Sequence, residues 1–490
     1  MQGTRVELLD RTVALIKTSG GARIVWIAGM AGTGKTSIAL TLCRMLTRES
    51  NIILGGTFFC SRTAGAIERT DVQCIVPTLA TVLARKIPLY AEALAAQLKD
   101  DHDLAYKLVR IQVEHLLVRP LAKLSSLGRH IIFVVDGLDE CTDQQQVADF
   151  VNAISDLDNS MPVKFLFTSR PEMYIRETPI TDGSLSSIVH LHTVDPLQVK
   201  KDIRLYIQKT FENAPASSIW YQEGDIDDLV TLSGGLFISA STAVAYILRR
   251  RDTPGRVERL RTVRLQTSTS GISTAPLDKM YSLVLTQALD PDTFEPTELD
   301  EMRRILAAIL AARAPLTVKA LAELLWMSPE RLRGALNELH AVVFVPEDDD
   351  EGELHTLHAS FSDFIFTRAP DQLRIQKSLA HDELARACLQ RMAADDLCFN
   401  VSRSGTSYRA NPKFKPGWIA DSLTYACLHW AHHVDLAPVR SAYGHRIGSI
   451  LRLKLLFWLE VLSVIGEVGQ ASGLLRIAAS VVSLYTRAEP

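Results

Sequence analysis

The chain has 490 residues, 47% of them hydrophobic and 22% charged, with a formal net charge of −3. That length is too great for one core and implies about three or four domains, and near-neutral charge with dispersed basic residues gives no electrostatic case for nucleic acid or a membrane surface. Seven scattered cysteines, Cys43, Cys60, Cys74, Cys141, Cys388, Cys398 and Cys427, are odd in number and lack C-x-x-C spacing, which argues for a reducing, cytoplasmic setting and against a zinc site.

About twenty residues precede the first apolar run, Ile24-Val25-Trp26-Ile27, which leaves no room ahead of it for a separate effector domain. The run reads as a strand, and Ser37 to Leu46 reads as a helix. Between them stand Gly29-Met30-Ala31-Gly32-Thr33-Gly34-Lys35-Thr36, the pattern G-x-x-x-x-G-K-[ST] of a phosphate-binding loop. Glycines let successive N–H groups turn inward on a triphosphate, and the helix that begins near Ser37 adds the positive end of its dipole. Lys35 is expected to reach the β- and γ-phosphates. The Thr36 hydroxyl is expected to ligate Mg²⁺, which bridges phosphate oxygens.

Ile131-Ile132-Phe133-Val134-Val135 is apolar on both faces, as a central parallel strand must be, and it ends on Asp136. Ligands in open parallel sheets bind at the carboxyl ends of strands, so Asp136 is the candidate magnesium partner. Gly137-Leu138-Asp139-Glu140 adds two carboxylates where an attacking water needs orientation or deprotonation. Val163 to Thr168 makes a further strand, stopped by Pro171. Arg170 then emerges at the same sheet edge, where its planar fork suits γ-phosphate oxygens or, equally, a neighbouring carboxylate.

Taken together, G-M-A-G-T-G-K-T, I-F-V-V-D-G-L-D-E-C and F-L-F-T-S-R-P-E resemble the NACHT family of the STAND class of P-loop signal-transduction ATPases. More narrowly they resemble the fungal NACHT proteins with a nephrocystin-3-like N-terminal region. Thr57-Phe58-Phe59-Cys60-Ser61-Arg62 is similar to that group's second strand, and Gln2-Gly3-Thr4-Arg5 to its leading segment. The resemblance implies an ADP-bound resting state and an ATP-bound state that self-associates. It also implies that Pro196 packs near the adenine and that His358, within Leu357-His358-Ala359-Ser360, touches the β-phosphate of ADP. Gly234-Gly235-Leu236-Phe237-Ile238 resembles the family's small helical domain, with Ser239 where a tryptophan is expected.

The expected architecture is an α/β P-loop NTPase core over 1–212, its parallel sheet covered by helices on both faces. A small helical domain and linker (213–275), a winged-helix domain (276–370) and an all-α C-terminal region (371–490) follow. Arg249-Arg250-Arg251 with Arg256, Arg259, Arg261 and Arg264 reads as a solvated helix surface or, on an amphipathic helix, as an interaction face. Arg264 to Pro276 is small and polar and reads as a linker. Three helical stretches, then Val342 to Val345 and Leu354 to Leu357, describe a winged helix. Its hairpin tip, Glu347-Asp348-Asp349-Asp350-Glu351, would repel phosphate where a DNA-binding wing needs cations. Leu451 to Val468 is interrupted by Arg452, Lys454, Glu460 and Glu467 and is a packed helix, not a membrane span.

These features favour a slow, regulatory ATPase in which Mg-nucleotide state controls self-assembly, with Asp139, Glu140 and Arg170 resetting the switch by hydrolysis. No sensor repeat is visible, so effector and sensor parts are expected on partners or on flanking segments. Fungal relatives tie the class to non-self recognition and programmed cell death, by analogy. Two other readings share the same motifs: an AAA-type turnover ATPase or motor, and a scaffold that binds nucleotide only for stability.

Overall fold

Five parallel strands form the sheet that carries the phosphate-binding loop, in the order β2-β3-β4-β1-β5. They are β1 (Ile24–Ala28), β2 (Ile52–Phe59), β3 (His130–Asp136), β4 (Val163–Ser169) and β5 (Ser186–His190). The computed structural model describes residues 3–18, 22–62, 67–124, 129–158, 161–178, 186–215, 220–249, 252–268, 276–403 and 419–488. The chain divides into two compact units, 1–280 and 281–490.

Alternation along each strand explains why the central strands read as apolar throughout. Ile24, Trp26, Ile131, Phe133, Val135, Phe165 and Phe167 join one core with residues of the helices Ile75–Ala84 and Gln144–Ser155. Val25, Ile27, Ile132, Val134 and Leu166 join a second core with the helices Val6–Lys17 and Lys35–Leu46. Each strand face thus loses water to a helix, at roughly 25 cal/mol per Å² of apolar area. The sequence placed β1, β3 and β4 correctly. The strand β4 sits between β1 and β3, so the loop after β1 and the acids after β3 flank the end of β4.

After the sheet come the helices Pro196–Glu212, Glu223–Leu232, Phe237–Leu248 and Thr253–Ser268. The arginine run is only partly the solvated surface expected, since Arg261 and Arg264 are exposed but Arg256 is buried. Arg256 is 2% exposed, stacks over Trp220 and donates to the Pro215 carbonyl. Arg259 lies over Tyr246, while Arg264 pairs with Asp225 and Asp228. These cations bind the helices to one another. Arg250 and Arg251 lie outside the described residues. The expected linker begins too early, since the last of these helices continues to Ser268; residues 269–275 lie outside the described set.

In the second unit, helices Pro296–Ala311, Val318–Leu325 and Pro329–Leu336 precede a two-stranded antiparallel hairpin, β6 (Val343–Phe344) and β7 (His355–Thr356). This is the helix and hairpin order read from the sequence. Its acidic tip is held within the unit, by Arg333 on Asp349 and Lys319 on Asp350. Long helices follow, Lys377–Ala393, Asp421–Leu436, Gly444–Val464 and Ala471–Ala488. No helix among the described residues is long and apolar enough to cross a membrane.

Candidate nucleotide-binding site

The loop after β1 turns because two glycines adopt left-handed backbone, Gly32 at φ 76° and Gly34 at φ 90°, where a Cβ is strained. Gly34 caps the helix Lys35–Leu46, and its carbonyl accepts from Ile38 N–H at 3.0 Å. Gly29 N–H donates to the Ser169 carbonyl at 3.1 Å, fastening the loop to the end of β4. The Thr33 hydroxyl donates to the Met30 carbonyl at 2.8 Å. Lys35 Nζ donates to the Gly29 and Met30 carbonyls at 2.9 and 3.1 Å. Burial lowers its pKa, partly offset by Asp139, Asp136 and Glu140, while Arg170 lowers it further.

Asp136 ends β3 and is 2% exposed. Its carboxyl pKa is raised by burial, while the Thr168 and Thr36 hydroxyls and Lys35 draw it back down. Thr168 donates to Asp136 Oδ1 and accepts from Gly137 N–H, the latter at 3.0 Å. One hydroxyl therefore fixes both the strand-end acid and the turn behind it, and Gly137 turns at φ 72°. Asp139 accepts from Arg170 N–H at 2.8 Å and pairs with Arg170 Nε at 3.1 Å. Of the two readings open for Arg170, the structure shows the carboxylate pairing. Burial raises the Glu140 pKa, which moves that carboxyl toward the range useful to a general base.

Two participants escaped sequence reasoning. Arg62, just past β2, donates its N–H to Glu140 Oε2 at 2.9 Å, and its guanidinium donates to the Glu140 and Asp139 carbonyls at 3.1 and 2.8 Å. The sequence carried it only as the last residue of Thr57 to Arg62, the stretch that resembles the fungal group's second strand, with no role attached. Ile238 opens the helix Phe237–Leu248, and its N–H donates to the Gly32 carbonyl at 3.2 Å. A Cβ on Gly32 would lie 2.0 Å from Ile238 Cγ2, so the loop and this helix touch through the missing side chain.

Lys35, Thr36, Asp136, Asp139, Glu140 and Arg170 are thus brought to one edge of the sheet. Ser37 follows on the same helix, exposed. Pro196 opens the helix Pro196–Glu212 with its side chain exposed, and Asp195 caps that helix by accepting from Leu197 N–H at 2.9 Å. A cleft of about 300 Å³ lies beside it, walled by Arg5, Ile188, Val189, Val194, Gln198 and Asp202 among others. His358 belongs to the second unit, where its Nδ1 accepts from Ser360 N–H at 3.1 Å and caps a short helix. Ser239 is 1% exposed and its Oγ has no hydrogen-bond partner among the described residues, at the position where a tryptophan was expected.

The residues present fit magnesium and a nucleotide's phosphates, with hydroxyl and carboxylate donors at Thr36 and Asp136, a lysine beside them and a glycine cradle. The family model described as Nephrocystin 3, N-terminal, matches residues 3–170. The vegetative incompatibility protein HET-E-1 of Podospora anserina is 24% identical over 506 residues, covering 90% of this chain and 33% of that protein. The chain therefore spans about a third of the length of that curated relative. Among solved structures, a STAND protein with a tetratricopeptide repeat sensor from Pyrococcus horikoshii aligns at a TM-score of 0.39 and 14% identity, over 97% of this chain and 63% of that one. The Drosophila origin recognition complex bound to DNA aligns at 0.33 and 13%, over 77% and 97%. With its loop, acidic turn and strand order joined at one sheet edge, the chain has the fold of a P-loop NTPase and is similar over residues 3–170 to the family described as Nephrocystin 3, N-terminal.

Proposed function

We propose that the protein is a signalling switch that binds a magnesium nucleoside triphosphate, ATP by its resemblance to NACHT proteins, hydrolyses it slowly and self-associates in the triphosphate state. The observation that carries this reading is the Lys35, Thr36, Asp136, Asp139, Glu140 and Arg170 constellation. Lys35 and the N–H groups from Gly29 to Ser37 hold the phosphates, while Thr36 and Asp136 hold magnesium, which neutralises charge on the transferred phosphoryl group. Glu140, its pKa raised by burial, takes the proton of the attacking water.

Both cations of the site are engaged by the protein itself, Lys35 by loop carbonyls and Arg170 by Asp139. A γ-phosphate competes for both, so its arrival or loss has a way to move the acidic turn. Such a switch needs unequal affinities for the two nucleotides in its two conformations. His358 as the ADP contact, Pro196 near the base, the winged helix, a cytoplasmic setting and a part in fungal non-self recognition or cell death belong to the same proposal. So does the exclusion of nucleic acid, which rests on the five acids at the hairpin tip, Glu347 to Glu351.

The test is to denature freshly purified protein and identify the released nucleotide by chromatography. Near-stoichiometric diphosphate supports a resting switch. An empty site with rapid turnover supports a motor, and an empty, inert one supports a chain that needs further parts. Glu140→Gln is expected to keep triphosphate and accumulate as oligomer on a sizing column with light scattering; a monomer loaded with triphosphate counts against the switch.

A further inference from the structure

The acidic turn meets the end of β2 through two thiols that nucleotide hydrolysis does not use. Cys60 follows β2 and Cys141 follows Glu140, and the Cys141 thiol donates to Cys60 Sγ at 3.5 Å. Both are free thiols, and their side chains are buried, Cys60 at 5% exposure and Cys141 at 1%. Their backbones are fixed independently of the sulfurs. Cys60 N–H donates to the Asp136 carbonyl at 2.9 Å, and Cys141 N–H to the Leu138 carbonyl at 3.3 Å. The sulfur contact therefore joins the two segments that hold Glu140, since Arg62, just past Cys60, grips that carboxylate through its N–H at 2.9 Å.

As small apolar fillers, both cysteines belong to the core built with the helices Ile75–Ala84 and Gln144–Ser155, and that role needs no bond between them. A disulfide holds its sulfurs at about 2 Å, so a closure of about 1.5 Å with side-chain rotation would join this pair. Access lies on the far side of the turn, where Thr142 and Tyr174 wall an open cleft of about 700 Å³ and Tyr174 packs against the core that contains Cys141. Buried, protonated thiols react slowly. The pair thus rests reduced and answers to sustained oxidant, as redox-sensing disulfides of reducing compartments do.

We propose that Cys60 and Cys141 are a redox modification site, forming a reversible disulfide that clamps the acidic turn to β2 and slows hydrolysis. The oxidant is hydrogen peroxide. One thiol takes an oxygen from it as sulfenic acid and releases water, and the second thiol displaces that oxygen as a further water while the S–S bond forms. Two S–H bonds and one O–O bond are broken in all; the sulfurs give up two electrons and the peroxide oxygens gain them. A dithiol reductant reverses the step and becomes a disulfide itself. The clamp keeps Glu140 on the Arg62 N–H and away from an attacking water. The phosphate-binding loop takes no part in it, so nucleotide binding persists. The effect on hydrolysis rests on the nucleotide-binding reading above; the bond itself does not.

The experiment exposes the full chain to hydrogen peroxide, maps disulfides by mass spectrometry of unreduced peptides, and measures ATP hydrolysis and affinity before oxidation, after it and after dithiothreitol. Wild type is expected to yield a linked Cys60–Cys141 peptide pair and to lose hydrolysis roughly tenfold, part of what a general base contributes. Affinity should hold, and dithiothreitol should restore the rate. Cys60→Ala and Cys141→Ala, each checked by thermal melt, should hydrolyse as reduced wild type does and ignore peroxide. The wild-type map depends on neither variant. Oxidation without that pair, or with links through the exposed Cys398 instead, overturns the site. A Cys60–Cys141 bond that leaves the rate unchanged, or a rate loss that persists in both alanine variants, overturns the clamp. If Lys35→Ala binds nucleotide as wild type does, the nucleotide reading fails instead, and the peptide map still decides the bond.

Discussion

Both units bury ionisable side chains, and they do so to opposite ends. At the carboxyl edge of the sheet, acids and cations are interleaved, so that Asp136 meets Thr168 and Lys35, and Asp139 meets Arg170. In the second unit, like meets like. His381 from the helix Lys377–Ala393 faces His432 and His433 from the helix Asp421–Leu436, with His429 near His433 and Arg313 on His432. His381 Nδ1 and His433 Nδ1 are 2.9 Å apart, and His433 Nε2 is 2.9 Å from the Tyr425 hydroxyl. The first arrangement compensates charge and can exchange one partner for a ligand. The second gathers imidazoles whose protonation is opposed by burial and by the Arg313 guanidinium, which makes it packing that depends on pH.

The sharpest break of this comparison is Lys35→Ala. It removes the one ammonium placed among the loop carbonyls, and nucleotide affinity should fall by about a hundredfold or more, while the fold and the second unit keep their melting behaviour. Fluorescent-nucleotide titration beside calorimetry checks both halves. Retained affinity would mean that the carboxyl edge is structural, like the histidine group.

Next comes acid. Burial, joined by the neighbouring cations, lowers His381 and His432 to about 4 and His429 to about 3, and holds His433 well below its ordinary value. The folded values lie below the unfolded value of about 6.5, so below that pH the unfolded chain binds more protons. Their contribution to stability is complete above pH 6.5 or so and drains away toward pH 4, by about 1.4 kcal/mol per pH unit for each imidazole that must charge. Hydrogen exchange followed from pH 7.5 to 5 should show amides of residues 421–436 losing protection before those of β1, β3 and β4. His429→Gln should flatten part of that slope. Equal loss in both units would erase the contrast.

Gly32→Ala probes the carboxyl edge from its other side. At φ 76° and with Ile238 Cγ2 2.0 Å from the added Cβ, the loop or the helix Phe237–Leu248 must shift, at a cost of about 1–3 kcal/mol. Nucleotide affinity should fall by less than in Lys35→Ala, and limited proteolysis should cut more readily between residues 223 and 268. Unchanged proteolysis would show that the loop and that helix are not tied.

How much of this was legible in the sequence follows from what each signal depends on. The phosphate-binding loop and Asp136 could be read because their chemistry needs fixed residue types at fixed spacing, next to strands that are apolar on both faces. The helix and hairpin order of the second unit was legible for the same reason of local periodicity. Arg62 and Ile238 were not, since each acts through a backbone N–H or carbonyl that any residue carries. Arg256 read as solvated because its partners, Trp220 and the Pro215 carbonyl, lie far away in sequence. Of the histidines of the second unit, His429, His432 and His433 share one helix at helical spacing, but their meeting with His381 was not legible because it comes from another helix far away in sequence.

The mildest test returns to Arg62, whose guanidinium donates to the carbonyls of Asp139 and Glu140 while its backbone N–H holds the Glu140 carboxylate. Arg62→Ala keeps the N–H and removes only the guanidinium, so the acidic turn should loosen without losing the grip on the Glu140 carboxylate. Partly exposed charge-assisted bonds of this kind are worth about 1 kcal/mol. The hydrolysis rate is therefore expected to fall severalfold with nucleotide affinity nearly unchanged, a split that single-turnover kinetics beside equilibrium binding would resolve. A loss of affinity matching that of Lys35→Ala would place Arg62 on the nucleotide itself. No change in either quantity would mean that the turn after β3 is held by Thr168 and Arg170 alone, so that the carboxyl edge needs less support from β2 than its hydrogen bonds suggest.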